Sequence, residues 1–418
     1  MVFSSDLLPL PEKGAAVAVG LSGGVDSALT AVLLKERGCN VIGMTMSHWS
    51  GGAIPAANKT GSVSPQRHSC YGPDEETDIE ECREFCKKYD IPYHVVDVAS
   101  CYKTEVLDYF TGEYRSGRTP NPCVMCNERI KFGAFLQGAK NAGIAFDYFC
   151  TGHYASVVNI SLGAGGKKIA AIKCSGDSAK DQTYFLYRIA SNVLETVRFP
   201  LGSFTKAHVK EMARERGLAA VNRSESQDFI PDEYAESLFA DKPSVAGDIV
   251  DLDGRVLGQH RGIEHYTIGQ RKGLGVSAPQ ALYVHSIDAE TNRIVLADES
   301  ALFSKACLVD KIVWTGGQDM RDFLFSRDSS IAKLSENSTE NLGDNAENFC
   351  AGNAPAFSAR VKVRLATPAV DALVSIHADG ILQVTFGEAQ RALTCGQSAV
   401  FYIDDIIVGG GIISGIVK

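Results

Sequence analysis

Between an apolar run, AAVAVGL at residues 15–21, and a helix-forming stretch, ALTAVLLKERG, the chain carries Gly20-Leu-Ser-Gly-Gly-Val-Asp-Ser27. A strand that ends in small residues and turns into a helix can bring its backbone close to an anion. The first N–H groups of the helix then supply donors and positive potential. The pattern is neither G-x-x-x-x-G-K-[ST] nor G-x-G-x-x-G. It lacks the lysine that reaches terminal phosphates, so γ-phosphoryl chemistry is not indicated.

The loop also fixes the expected architecture. NVIGMTM reads as a second buried strand, IEECREFCKKYD as a helix and PYHVVDV as a third strand. DYFCTGHYASVV adds a strand running into a loop. Strands alternating with helices predict an α/β, doubly wound parallel sheet over residues 1–205, with ligands at the carboxyl ends of its strands. KAHVKEMARERGL reads as a helix that opens a small central domain at 206–281. From 282 to 418, short strand-like segments such as ARVKVRL, ALVSIHA and LQVTF predict a C-terminal β-barrel. A Ser, Asn, Asp and Glu-rich segment at 316–355 interrupts it and is expected to be a mobile surface insertion. Two or three domains also suit a chain of 418 residues.

No stretch approaches the roughly 18 apolar residues of a membrane span, and the start has no signal-peptide pattern. A cytoplasmic enzyme without membrane association is the expectation. The twelve cysteines are scattered through a large chain, as in a reducing compartment. Cys39, Cys307 and the helical pair Cys82 and Cys86 read as core residues, whereas the role of Cys70 stays open. A net charge of −9 argues against indiscriminate nucleic-acid binding. It leaves room for a specific RNA held by local clusters, such as Arg115 with Arg118, Arg129 to Lys131, Arg271 with Lys272, and Arg360 to Arg364.

The second informative stretch is EYRSGRTPNPCVMCNERIKFG. Its prolines predict an extended loop, and Arg115 and Arg118 suit a phosphate backbone nearby. A C-x-x-C pair in such a chain reads equally as half of a zinc site, as a redox or sulfur-carrying pair, or as iron–sulfur ligation.

SGGxDS resembles the pyrophosphate loop of the ATP pyrophosphatase superfamily. With it, GRTPNPCVMCNERIKFG, TGHYA, KDQTYFL, SESQDFI, YTIGQRKGLG and GQSAVFY occur in order. Together they resemble the tRNA-specific 2-thiouridylase family along nearly the whole chain. The resemblance implies an adenine nucleotide hydrolase-like sheet and an ATP- and Mg²⁺-dependent reaction. ATP adenylates O2 of uridine 34 in tRNAs for Lys, Glu and Gln; sulfur from a donor protein or sulfide then displaces AMP and leaves 2-thiouridine. Adenylation makes a poor leaving oxygen a good one, and a thiolate or persulfide is the natural attacker.

Carried over by position, the resemblance assigns ATP to Gly20, Leu21, Ser22, Gly23, Gly24, Val25, Asp26 and Ser27, with Met46 and Gly152. Asp26 helps place Mg²⁺, and Ser22 and Ser27 bind phosphate oxygens. tRNA is assigned to Asn121, Pro122, Cys123, His153, Lys180, Asp181, Gln182, Arg364, Leu365 and Gln397, although Leu365 stands where the family has an aromatic residue. Cys126 matches the family's first catalytic cysteine.

One departure bears on mechanism. Many members carry Asp where Cys123 stands, and a second cysteine where Asp228 stands. Two accounts follow. Cys123 and Cys126 divide persulfide and disulfide roles between them, or Cys123, Cys126 and Asp228 ligate a [4Fe-4S] cluster. Other readings of the chain are a different ATP pyrophosphatase-type ligase and an inactive tRNA-binding homologue. No glutaminase-like segment supports the former, and the intact SGGVDS loop weighs against the latter.

Overall fold

The computed structural model describes residues 3–49, 71–72, 75–163, 166–222, 229–230, 236–326, 355–378 and 380–417. Cys70, Asp228 and residues 327–354 of the expected insertion therefore lie outside the described residues.

Five parallel strands lie in the order Tyr93–Asp97, Asn40–Ser47, Ala16–Gly20, Tyr148–Cys150 and Val197–Arg198. Their apolar runs are buried on both faces, as a parallel sheet requires. Val17, Val19 and Leu21 pack with Leu34, Cys82 and Cys86 on one side, while Ala18 and Met44 meet Phe135 and Phe149 on the other. Cys39 and Cys307 are buried as expected. The strand order reverses direction at Ala16–Gly20, between its neighbours Asn40–Ser47 and Tyr148–Cys150. The phosphate loop and TGHYA leave the carboxyl ends of two adjacent strands at this switch point, where such sheets bind ligands.

The helix Val25–Glu36 is flanked by Lys206–Glu215, whose Val209, Met212 and Ala213 bury against Val25, Leu29 and Val32. A helix expected in the central domain thus caps the nucleotide-type sheet. Its amphipathic pattern gave no clue to which apolar face it would cover.

GRTPNPCVMC is not extended throughout. Pro122–Met125 begins a helix that continues, wound in wide π turns, over Cys126–Ala134 and returns to α geometry over Phe135–Asn141. Asn121 is its N-cap, with a side-chain oxygen accepting from Val124 N, and Pro122 occupies the first helical position. Asn–Pro is a helix-start pattern, because Pro there forfeits an N–H that has no partner in any case.

Six antiparallel strands close the C-terminal barrel, in the order Ile406–Val417, Phe303–Trp314, Ile381–Arg391, Val370–Ala378, Ala356–Lys362, Ser398–Ile403 and back to Ile406–Val417. Tyr283–Asp288 and Arg293–Ala297, expected in this barrel, instead form a four-stranded sheet with Gly247–Val250 and Val256–His260. Parallel pairing of Arg293–Ala297 with Gly247–Val250 decides their allegiance. The expected mobile segment starts as the helix Gln318–Phe325, with Met320 and Leu324 buried in the barrel core. The strands Ser4–Leu7, Ser156–Ser161 and Lys168–Lys173 extend the barrel sheet, joined to it through Lys173 opposite Ile406.

Candidate active site

The helix Val25–Glu36 starts at Gly24 with no side-chain cap, and Gly23 adopts φ +72°, a left-handed conformation natural to glycine. The first N–H groups therefore face the loop's concave side with positive potential. Ser27 Oγ is buried, accepts from Ser22 N at 3.2 Å and donates to Gly24 O at 3.1 Å, while Ser22 Oγ lies 3.3 Å from it. These bonds hold Ser22, Gly24 and Ser27 in one tight turn. Met46 stands half-buried at the end of the neighbouring strand, paired with Val96.

Asp26 is the electrostatic centre. Lys206 Nζ donates to both of its carboxylate oxygens at 2.8 Å, and Tyr154 Oη donates to Oδ1 at 3.1 Å. Lys206 lies over the Tyr154 ring and is buried. A cation absent from the loop's own sequence is thus delivered by the first residue of a distant helix. Gly152 packs directly on the helix start, where a Cβ would stand 2.8 Å from Asp26 Cβ and 2.9 Å from Ser27 N. Gly152 thus lets TGHYA seat against the loop.

His153 connects this loop to the cysteine helix. Its ring is half-buried between Phe132 and Phe199, with Nδ1 2.7 Å from Thr151 Oγ1 and Nε2 3.5 Å from Lys131 Nζ. An ammonium only donates, so Nε2 accepts and Nδ1 carries the proton donated to Thr151. Burial, and then the Lys131 charge, push the imidazole well below its ordinary value, so the ring is neutral.

Cys123 and Cys126 are both half-buried, one helical turn apart on the helix that Asn121 caps. Asn127 Nδ2 donates to Cys123 O at 3.0 Å and to Phe185 O at 3.3 Å, tying the cysteine turn to the segment after Lys180-Asp181-Gln182. Glu128 accepts from Arg188 Nε at 2.6 Å, and Arg188 Nη1 also donates to Lys311 O of the barrel at 3.2 Å.

The expected tRNA-contact positions divide by what already engages them. Lys180 is exposed. Asp181 accepts from Ser175 N and Thr183 N, and Gln182 Oε1 accepts from Tyr154 N at 2.9 Å. Arg364 Nη2 donates to Ala392 O and Thr394 Oγ1, both at 2.6 Å; these are neutral acceptors, and burial lowers its pKa. Leu365 beside it is 45% exposed, an apolar surface where a base could stack. Gln397 Nε2 donates to Thr119 O and Pro120 O. Arg115 and Arg118, expected to face phosphates, pair instead with Asp241 and Glu113. Sequence reasoning missed Lys206, Arg188, Asn127 and Tyr154. None carries a local pattern that foretells its distant partner.

Asp228 lies outside the described residues, so the three-ligand set with Cys123 and Cys126 is not formed among them. No group of three or more His, Cys, Asp or Glu placed to hold a metal occurs among the described residues. No helix among them is long and apolar enough to cross a membrane.

A glycine-rich anion loop at a sheet's switch point, beside a cysteine helix braced by a barrel, defines a nucleotide-dependent enzyme architecture of three parts. Three family profiles match in that order: a tRNA methyl transferase HUP domain at residues 15–231, a tRNA methyl transferase PRC-barrel domain at 238–298, and an aminomethyltransferase beta-barrel domain at 341–413. The tRNA-specific 2-thiouridylase MnmA of Herpetosiphon aurantiacus is 38% identical, over 96% of this chain and 98% of its own. Those of Endomicrobium trichonymphae and Acetivibrio thermocellus are each 37% identical, over 95% of this chain and 98% of theirs. The chain belongs to the tRNA-specific 2-thiouridylase family.

Proposed function

We propose that this chain is a tRNA 2-thiouridine synthase, working in the cytoplasm on tRNAs for Lys, Glu and Gln. ATP adenylates O2 of uridine 34, pyrophosphate leaves, and sulfur displaces AMP. The observation that carries the reading is a continuous bonded route from the anion loop to the cysteines. Asp26 binds Tyr154 in TGHYA, the adjacent His153 meets Lys131, and Lys131 lies on the helix that bears Cys123 and Cys126. Nucleotide and sulfur chemistry are thereby built into one frame.

The uncapped helix start and the Ser22 hydroxyl would supply donors to the phosphates of ATP. Asp26, whose carboxylate Lys206 and Tyr154 now engage, would hold Mg²⁺, and Lys206 would offset the charge that develops as pyrophosphate departs. Neutral His153, Lys180, Arg364, Leu365 and Gln397 are the tRNA-facing positions of this reading. Asn121 and Pro122 set the target base against the cysteine turn.

For sulfur, the spacing of Cys123 and Cys126 on one helical turn suits both a transient disulfide and two ligands of a [4Fe-4S] cluster. Thiolates are the ordinary ligands of such clusters, and Asp228 would have to supply the third. Iron and acid-labile sulfide, assayed in anaerobically purified protein, separate the two. The function itself is tested with ATP, Mg²⁺, unmodified tRNA and sulfide, nucleosides being read by mass spectrometry. Formation of 2-thiouridine with tRNA-dependent pyrophosphate release supports the reading. Pyrophosphate release without any thiolated nucleoside, under anaerobic conditions and with sulfide present, would overturn the sulfide-driven form of it.

A further inference from the structure

The barrel residues 395–397 grip the chain just before the cysteine turn. Thr119 N donates to Cys395 O at 2.9 Å, and Gln397 Nε2 donates to Thr119 O at 3.1 Å and Pro120 O at 3.0 Å. Gly396, between them, adopts φ +94°, and a Cβ there would stand 2.7 Å from Thr119 O. Both hydrogens of the Gln397 amide are thus directed at backbone carbonyls. Its carbonyl oxygen lies 3.5 Å from the hydroxyl of Tyr184, which is buried and also reaches Ser398 O at 3.1 Å. The gripped residues Thr119 and Pro120 lead directly into Asn121. Asn121 caps the helix on which Cys123 and Cys126 sit.

We infer that Gln397 is a positioning residue for the cysteine turn: through Thr119 and Pro120, which run directly into the Asn121 cap, the barrel sets the orientation of Cys123 and Cys126. A second tether acts on the far side of the same turn, where Arg188 joins Glu128 to Lys311 O. Held between two barrel anchors, the turn keeps its thiols half-buried before any tRNA arrives. The inference rests on the proposed sulfur role of the two cysteines, but its test does not depend on thiolation.

The test measures iodoacetamide alkylation of Cys123 and Cys126 in full-length, tRNA-free protein, by peptide mass spectrometry, alongside melting temperature and tRNA affinity. Gln397→Ala removes the two donors and is expected to speed alkylation about fivefold, the factor set by losing a typical hydrogen bond. Gln397→Lys keeps a donor for the carbonyls and is expected to stay within about twofold of the parent. Should the alanine variant not fold, Gln397→Glu, of the same shape without the donors, is read in its place. Unchanged alkylation on loss of the donors overturns the inference, and weakened tRNA binding at unchanged alkylation would mark Gln397 as a tRNA contact alone. Equal acceleration in the Ala and Lys variants also overturns it, because packing rather than the donated bonds would then hold the turn.

Discussion

Lys206 Nζ sits 2.8 Å from each carboxylate oxygen of Asp26, across 180 residues of sequence. The pair is largely screened from solvent, with side chains 10% and 29% exposed, so neither charge is easily replaced by water. It turns a lysine-free loop into one with a cation at its mouth.

Asp26→Asn keeps the shape and removes the charge, and is expected to slow tRNA-dependent pyrophosphate release about 100-fold. Lys206→Met is expected to do the same. Because the two act as a unit, the double variant should be little worse than the poorer single one. A Lys206→Met enzyme within about twofold of the parent would show that the pair only stabilises the fold.

Cys126→Ser and Cys123→Ser test the sulfur step apart from adenylation. Each hydroxyl preserves the helix, whose cap and first proline are untouched. Pyrophosphate release is expected to persist within about threefold while 2-thiouridine falls below detection. Loss of both activities together would place the cysteines in tRNA docking instead.

His153 carries a pH prediction. Burial and then the Lys131 charge hold its folded pKa well below the ordinary 6.5. As pH falls below that value, the unfolded chain takes up the proton first, so stability is full above it and lost on acidification. His153→Asn, which can keep a donor toward Thr151, is expected to flatten the acid side of the stability profile. Urea unfolding between pH 7.5 and 5.5 checks it; parallel profiles for the two proteins would contradict it.

Gly152→Ala puts a methyl 2.8 Å from Asp26 Cβ, with backbone atoms equally close, so no flexible side chain can yield. Destabilisation of about 1–3 kcal/mol and weaker nucleotide binding are expected. Thermal unfolding and ATP titration read these two effects separately.

Much of this arrangement was legible in the residues themselves. The apolar run before Gly20 and the helix after Ser27 carry their own periodicity, so the loop's place at a strand's carboxyl end follows from strand alternation, whereas the switch point needs the strand order. The barrel's short strands announced themselves in the same way. What escaped were partners chosen by tertiary packing. KAHVKEMARERGL is an ordinary amphipathic helix until it is laid on Val25–Glu36, and only then does Lys206 reach Asp26. Arg118 reads as a phosphate contact from its basic cluster, yet it pairs with Glu113 at the end of the preceding helix. Asp181 and Gln182, expected as tRNA contacts, also brace the fold, their carboxylate and amide accepting from backbone N–H groups of Ser175 and Tyr154. Asn121-Pro122 is a local signal with two readings, since it is a helix start as readily as an extended turn.

The sheet that joins Ser4–Leu7 to Ile406–Val417 bears on how the protein is made. Ser4–Leu7 pairs with Ser156–Ser161, the adjoining strand Lys168–Lys173 meets Ile406, and Ile406–Val417 completes the barrel. On the ribosome, Ser4–Leu7 waits for Ser156–Ser161, and both wait for Ile406–Val417 to emerge. The bracing of the cysteine turn therefore cannot exist until the strand Ile406–Val417 has been synthesised, and a nascent chain halted short of residue 406 would carry its thiols unguarded.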